Sequence, residues 1–387
     1  MRLPKVGHIG RSSLFIVNRI ATARGYSSQK TSDPLRILFC GSDDFSVTSL
    51  ESIHEEHKTN PKSIASIDVV CRPGKRVGRG LKTIREVPIA QIARELPLPL
   101  HEVNTFTGWT PPMPQGFPVN LVIAVSFGLL VPPRILNGAK YAGLNVHPSM
   151  LPDLHGPAPL HHTLLNDCSR TGVTLQTMHP RHFDQGVILD QTPFPGFEHH
   201  CTTIPELSSK MSSLGAEMLV KAIRNRTFVQ PQETLGWVQA GHDGLTRPAP
   251  KITAEDSHIQ WPQWTAEEIL RKQNIVGPLW NTVNHFDSKT RGTRPRRVVW
   301  SSGFSKAPTS EVDPTQQPGC PYAMQNGSQD SIPRINTGDG HVLQAEKVTL
   351  DGERERGAGP ALASLLKNHS ASGVEDAKGG AGRLCLA

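Results

Sequence analysis

Short apolar runs alternate with helix-capable segments through the first half of the chain, and this alternation most narrows the folds open to it. Leu35-Arg36-Ile37-Leu38-Phe39-Cys40 is closed by Gly41, the pattern of a buried strand entering a tight turn, and Ser42-Asp43-Asp44 then supplies helix-starting residues. Further apolar runs occupy 67–71, 120–125, 144–147 and 173–178, with helix candidates at 87–95 and 158–166 between them. Strand and helix in alternation predict an α/β fold built on an open, Rossmann-like sheet. Helical periodicity returns over 204–225, with the apolar residues on one face. Gly41-Ser42-Asp43-Asp44-Phe45 lacks the later glycines that let a pyrophosphate approach the backbone, which argues against a nucleotide-binding dehydrogenase.

The 387 residues suffice for two domains. Residues 226–253, with Pro231, Pro248 and Pro250 among glycines and threonines, read as a linker, so a second domain is expected over 254–387 after a first over 34–225. That second part opens on a helix candidate at 266–273 and carries strand-like pieces at 297–300 and 340–343. Its stretch 305–333, dense in Pro, Ser, Gln and Gly, reads as a flexible insertion.

The formal charge of +7 points to nucleic acid until it is divided along the chain. Arg2, Lys5, Arg11, Arg19, Arg24 and Lys30 fall within the first 32 residues, where no acid occurs; taking those six from 41 leaves 35 basic residues against 34 acidic ones. An argument for RNA must therefore rest on local clusters. The opening stretch is basic, rich in serine and carries the short apolar run Leu14-Phe15-Ile16-Val17, the composition of an organelle transit peptide, expected over 1–28. That run is too short to span a bilayer, and no membrane contact is expected. Cys40, Cys71, Cys168, Cys201, Cys320 and Cys385 are scattered without a C-x-x-C pair, so neither a metal site nor a disulfide framework is expected.

Asn145-Val146-His147 ends an apolar run, and residues two apart in a strand project from the same face. Pro148-Ser149-Met150-Leu151-Pro152 and His155-Gly156-Pro157-Ala158-Pro159 follow, at the carboxyl end of a strand, where open α/β sheets hold their ligands. Asp184-Gln185-Gly186 places a carboxylate on a later turn. Taken alone, N-x-H also fits an ordinary buried histidine beside a capping asparagine, and Asp before Gly is usually turn chemistry. Together the three side chains are the parts that transfer of a formyl group to an amine requires: Asn145 to donate to the developing oxyanion, His147 to donate or shuttle a proton, Asp184 to orient His147 or hold a proton-carrying water.

The run from Asn145 to Pro152, followed by Gly156-Pro157-Ala158-Pro159, resembles the signature of the folate-dependent formyltransferases, and Thr171-Gly172-Val173-Thr174 and Asp184-Gln185-Gly186-Val187-Ile188 match that family in the same order. The resemblance covers roughly residues 35–225. It implies Asn145, His147 and Asp184 as catalytic residues and 10-formyltetrahydrofolate as formyl donor, with no metal. Ser149, Met150, Leu151 and Pro152, and the turn Phe127-Gly128-Leu129-Leu130, would contact the folate. Many relatives carry a basic aromatic run where this chain has Asp153-Leu154-His155.

Acceptors in the family include glycinamide ribonucleotide, an amino sugar nucleotide and methionyl-tRNA. The start at Leu35, the added C-terminal domain and the segment 72–85 resemble the members acting on tRNA. That segment holds six basic residues and no acid, suited to neutralising phosphates. The resemblance thus implies charged initiator methionyl-tRNA as partner, contacted by Lys75, Arg76, Arg79 and Lys82, and by Arg294, Arg296 and Arg297 on a C-terminal β-barrel resembling an OB fold. A monomer is expected, and the transit-peptide composition of residues 1–28 directs it to the mitochondrial matrix.

Overall fold

The computed structural model describes residues 30–232, 234, 246–287, 292–322 and 332–370. The segment expected as a transit peptide lies outside the described residues. The first part of the chain gives β1 (Leu35–Gly41), α1 (Asp44–Thr59), β2 (Ile64–Cys71), β3 (Lys75–Val77), β4 (Thr83–Arg85), α2 (Pro88–Glu95) and β5 (Leu100–Glu102). There follow β6 (Leu121–Val125), α3 (Pro133–Gly138), β7 (Gly143–His147), α4 (Pro159–Leu165), β8 (Arg170–Thr171), β9 (Thr174–Thr177), β10 (Ile188–Gln191), β11 (Phe197–Glu198) and α5 (Ile204–Asn225).

Seven of these strands form one sheet in the order β10-β9-β7-β6-β1-β2-β5. The five from β5 to β7 run parallel, while β9 and β10 are antiparallel additions at one edge. The expected open α/β sheet is therefore present, with a mixed edge. Both faces of β1 are covered, which is why its sequence is nearly continuous in apolar residues. Leu35, Ile37 and Phe39 face a core shared with Phe45, Leu50, Leu207 and Met211 of α1 and α5, and Leu38 and Cys40 face Phe106, Phe127, Ile135 and Leu136 on the other side. Each such buried side chain contributes roughly 1.5–3 kcal/mol, enough to offset the roughly 1–2 kcal/mol of backbone ordering per residue. β1 is thus an anchor for the sheet. α5 begins on a capping box in which Glu206 N donates to Thr203 Oγ1 and the Glu206 carboxylate accepts from Thr203 N.

Beyond the connector come α6 (Ala266–Val276), β12 (Trp280–Asp287), β13 (Gly292–Val299), β14 (Ser305–Lys306), β15 (Pro321–Tyr322), β16 (Arg334–Asn336), β17 (Val342–Gln344), β18 (Lys347–Leu350), β19 (Arg356–Gly357) and α7 (Ala358–Ser370). The strands form two four-stranded sheets, β12-β13-β18-β19 and β14-β17-β16-β15, with antiparallel pairing throughout. They share a core of Trp261, Trp300, Phe304, Ile335, Val348 and Leu362. Trp300 Nε1 donates to Asn281 Oδ1 at 2.7 Å, which satisfies one polar group buried with the indole.

Two composition-based expectations change here. Part of the supposed flexible insertion is built into the second sheet: β14 and β15 lie within it, and Tyr322 Oη donates to the Glu311 carbonyl at 2.8 Å. Pro and Gly mark tight turns in that stretch rather than a free loop. Cys320 is also disulfide-bonded, whereas Cys40, Cys71, Cys168 and Cys201 are free thiols. Among the described residues no helix is long and apolar enough to cross a membrane, and no group of three or more His, Cys, Asp and Glu could hold a metal ion.

Candidate active site

β7 carries Asn145 and His147 to the carboxyl end of the parallel sheet, between β6 and β9. Their two-residue spacing puts both side chains on one face, as the sequence predicts. Asp184 arrives from the turn between β9 and β10, where its φ of 56° is in the left-handed region. Asp184 Oδ1 lies 3.3 Å from His147 Nδ1, with side-chain exposures of 10% and 6%, so the pair meets in a nearly dry setting.

Gln176 on β9 joins the group. Its Nε2 donates to Asp184 Oδ1 at 3.2 Å and to Asn145 Oδ1 at 3.1 Å, while its Oε1 accepts from Gly186 N at 3.1 Å. Because a carboxylate can only accept, Gln176 must present its NH2 to Asp184, and Asn145 must then present its oxygen to Gln176. The Asn145 amide nitrogen is thereby turned to the Ala124 carbonyl at 3.0 Å and keeps one further N–H for a ligand. Gln176 is 1% exposed. Its only mark in the sequence is a polar residue alternating with Thr174 in an otherwise apolar run.

His147 Nε2 donates to the Leu154 carbonyl at 3.1 Å. A carbonyl accepts only, so Nε2 carries a proton, and Nδ1, which faces Asp184, is the ring nitrogen at which a further proton can be taken up and given back. Asp184 Oδ2 accepts from Gly156 N at 2.8 Å. The four side chains therefore combine a spare amide donor with a histidine–carboxylate pair. Such a group can stabilise a tetrahedral oxyanion and carry one proton.

The other expected residues divide. Ser149 and Leu151 point inward: Ser149 Oγ donates to the Asp153 carbonyl at 2.7 Å, and Leu151 N donates to Thr174 Oγ1 at 3.1 Å. Met150 packs against Gly172 and Gly196, where an added Cβ would lie 2.8 Å and 2.7 Å from its side chain. Pro152 is half-buried. Phe127 is buried against Phe106, Gly128 has φ 73°, and Leu129 and Leu130 line a cavity of about 260 Å³ with Thr105, Phe106 and Arg134. The trio lies outside this hollow, and its chemistry follows from donors and acceptors rather than from cavity size.

Among the basic candidates, Lys75, Arg76 and Lys82 stand exposed on or beside the β3–β4 hairpin, and Arg79 begins a single turn of 3-10 helix at its tip. Leu81 and Ile84, each 58% exposed, sit among them. Alternation along β13 sets Arg297 on the opposite face from Arg294 and Arg296. Arg296 forms an ion pair with Glu353 at 2.5 Å, on the side of buried Val298, while Arg297 lies over the Trp280 ring at 4.1 Å and Arg294 is exposed.

A family model described as formyl transferase matches residues 35–223, the part of the chain that holds this site. Mitochondrial methionyl-tRNA formyltransferase of Saccharomyces cerevisiae is 35% identical over 280 residues, covering 64% of this chain and 69% of that protein. The chain belongs to the formyl transferase family. The protein of Homo sapiens bearing the same name is 33% identical over 263 residues, covering 66% of this chain and 62% of its own length. The match thus spans between 62% and 69% of the mitochondrial relatives' lengths. Among solved structures, the sugar 3N-formyl transferase WlaRD, described in the presence of dTDP and 5-N-formyl-THF, aligns over 81% of this chain and 98% of its own at 16% identity and a TM-score of 0.48.

Proposed function

We propose that this chain transfers the formyl group of 10-formyltetrahydrofolate to the α-amino group of charged initiator methionyl-tRNA, yielding formylmethionyl-tRNA for initiation of mitochondrial translation. The observation that carries the chemistry is the network Asn145–Gln176–Asp184–His147, which leaves one Asn145 N–H for an oxyanion and sets His147 Nδ1 3.3 Å from Asp184. A free α-amino group titrates near ~8, so part of it is neutral near neutral pH and needs no strong base. The amine nitrogen adds to the formyl carbon, and the carbonyl π pair moves to oxygen, where Asn145 donates to it. The His147–Asp184 pair takes the proton that the amine sheds and returns one to N10 of the folate as the C–N10 bond breaks, leaving tetrahydrofolate and the formamide. Catalysis here is chiefly positioning and oxyanion stabilisation.

The loop 149–152 and the turn 127–130 are the reading's folate contacts. With Ser149 and Leu151 turned inward, the loop would meet the donor through its backbone, Met150 or Pro152. The tRNA assignment is supported by the relatives' names and by the exposed basic hairpin bearing Lys75, Arg76, Arg79 and Lys82. Arg294 and Arg297 would add backbone contacts from the C-terminal sheets, which we read as the walls of a small OB-like barrel. No metal takes part in this scheme. A monomer in the mitochondrial matrix, brought there by residues 1–28, completes the reading.

The test offers labelled 10-formyltetrahydrofolate with methionyl-tRNA, uncharged tRNA and an amino sugar nucleotide. Label should appear on methionyl-tRNA alone. Transfer to the sugar amine in preference would replace the acceptor and leave the site chemistry standing.

A further inference from the structure

The connector between the two domains reads in the sequence as a linker, yet residues 247–250 lie against the active-site loop. Arg247 N donates to Asp153 Oδ1 at 2.8 Å, and the Arg247 guanidinium holds the same carboxylate through Nε to Oδ1 at 3.1 Å and Nη2 to Oδ2 at 2.5 Å. The Asp153 side chain is 9% exposed and that of Arg247 22%. Main-chain bonds continue the contact: Leu154 N to the Arg247 carbonyl at 2.8 Å, Ala249 N to the His155 carbonyl at 2.7 Å, and Ala158 N to the Ala249 carbonyl at 3.1 Å. Gly156, at φ 122°, has no room for a side chain, since a Cβ would lie 2.6 Å from the Ala249 oxygen.

The clamped loop is the one that completes the reacting pair. Leu154, held at φ 54°, offers the carbonyl that receives the His147 Nε2 proton, and Gly156 N donates to Asp184 Oδ2. A left-handed leucine persists only where its surroundings impose it, and the Arg247 ladder is the imposing contact. A nearly buried carboxylate such as that of Asp153 calls for a cation, and Arg247 supplies it with bidentate geometry. On the domain side, the Pro250 carbonyl accepts from His162 Nε2 at 2.9 Å, and Arg271 of α6 pairs with Asp167 at 3.1 Å just after α4. The last residues of the connector and α6 are thus both tied to α4 and the residues around it.

We infer that Asp153 and Arg247 are positioning residues, through which the interdomain connector holds the Leu154 carbonyl on His147 Nε2 and so aims Nδ1 at Asp184. The inference rests on reading His147 and Asp184 as the proton-carrying pair. It makes the placement of the C-terminal domain felt at the reacting proton.

The test uses the full chain labelled with 15N-histidine, with the His147 signal assigned by its loss in His147→Asn. Arg247→Met should speed exchange of the Nε2-bound proton and lower kcat, each by about tenfold, with KM for the formyl donor little changed; Arg247→Lys should recover most of both. Asp153→Asn, which keeps shape and removes charge, should behave as Arg247→Met and stands in for it if that variant does not fold. Folded Arg247→Met or Asp153→Asn with the parent's His147 signal and exchange would overturn the inference. That readout needs no turnover, so it is separable from the reading of the site, which fails instead if His147→Ala is as active as the parent.

Discussion

At the scale of single residues, the site divides into side chains that a sequence can display and side chains that only packing reveals. Asn145 and His147 are legible because strand geometry alone puts them together. Asp184 becomes legible only beside them, since nothing local distinguishes it from ordinary turn chemistry. Gln176 is not legible at all: its role depends on β9 running antiparallel beside β7, so that Gln176 stands opposite Asn145 in the register. Its loss should nonetheless be costly. Gln176→Leu removes the group that orients the Asn145 amide and Asp184 together, and turnover should fall about tenfold or more while the fold loses no more than about 1–3 kcal/mol. Steady-state rates beside urea unfolding will check this, and a parent-like kcat would show that Asn145 is oriented without it. His147→Ala and Asp184→Asn should each lower turnover by orders of magnitude, on the order of 10²–10⁴, with tRNA affinity measured by filter binding nearly unchanged.

At the scale of elements, glycine and charge placement decide more than propensity. Gly186 closes the turn that delivers Asp184, and an added Cβ there would sit 1.6 Å from the Thr177 carbonyl oxygen. Gly186→Ala must therefore shift the β9–β10 turn, and activity should be lost even where circular dichroism shows the fold retained; full activity would mean that Asp184 does not need this turn. In the sequence the β3–β4 hairpin shows only as a basic, acid-free segment. Its short strands are paired through Lys75–Arg85, Arg76–Ile84 and Val77–Thr83, a pairing that glycines and like charges conceal. Arg79→Ala should mainly weaken productive tRNA engagement, seen as a raised KM for tRNA, and Arg76→Ala should reduce the salt dependence of binding by about one unit of slope. Equal performance of Arg79→Ala and the parent at moderate salt would remove the hairpin from the RNA path.

At the scale of the whole molecule, the alternating apolar runs disclose the sheet, but composition misleads over the connections. Proline and glycine near residues 246–250 and 305–322 suggest slack chain, whereas both stretches are held by specific hydrogen bonds that composition does not encode. Buried titratable groups also tie global stability to pH. His199 is 6% exposed and neither ring nitrogen makes a hydrogen bond of normal geometry. Burial holds its pKa below the ordinary value of 6.5, and a Cys168 backbone contact offsets this only in part. The unfolded chain therefore binds more protons as pH falls below that value, so stability should decline with acidification. The urea midpoint should drop between about pH 7.5 and about pH 5.5, and drop less in His199→Leu. The central claim is that one network, Asn145–Gln176–Asp184–His147, moves a formyl group onto an aminoacylated tRNA. Its most direct test is a single-turnover measurement of labelled formyl passing from 10-formyltetrahydrofolate to methionyl-tRNA, with the parent and Asn145→Ala compared at saturating concentrations of both substrates. The account predicts rapid transfer by the parent and a loss of about a hundredfold or more in the variant; an equal rate in the two would contradict it.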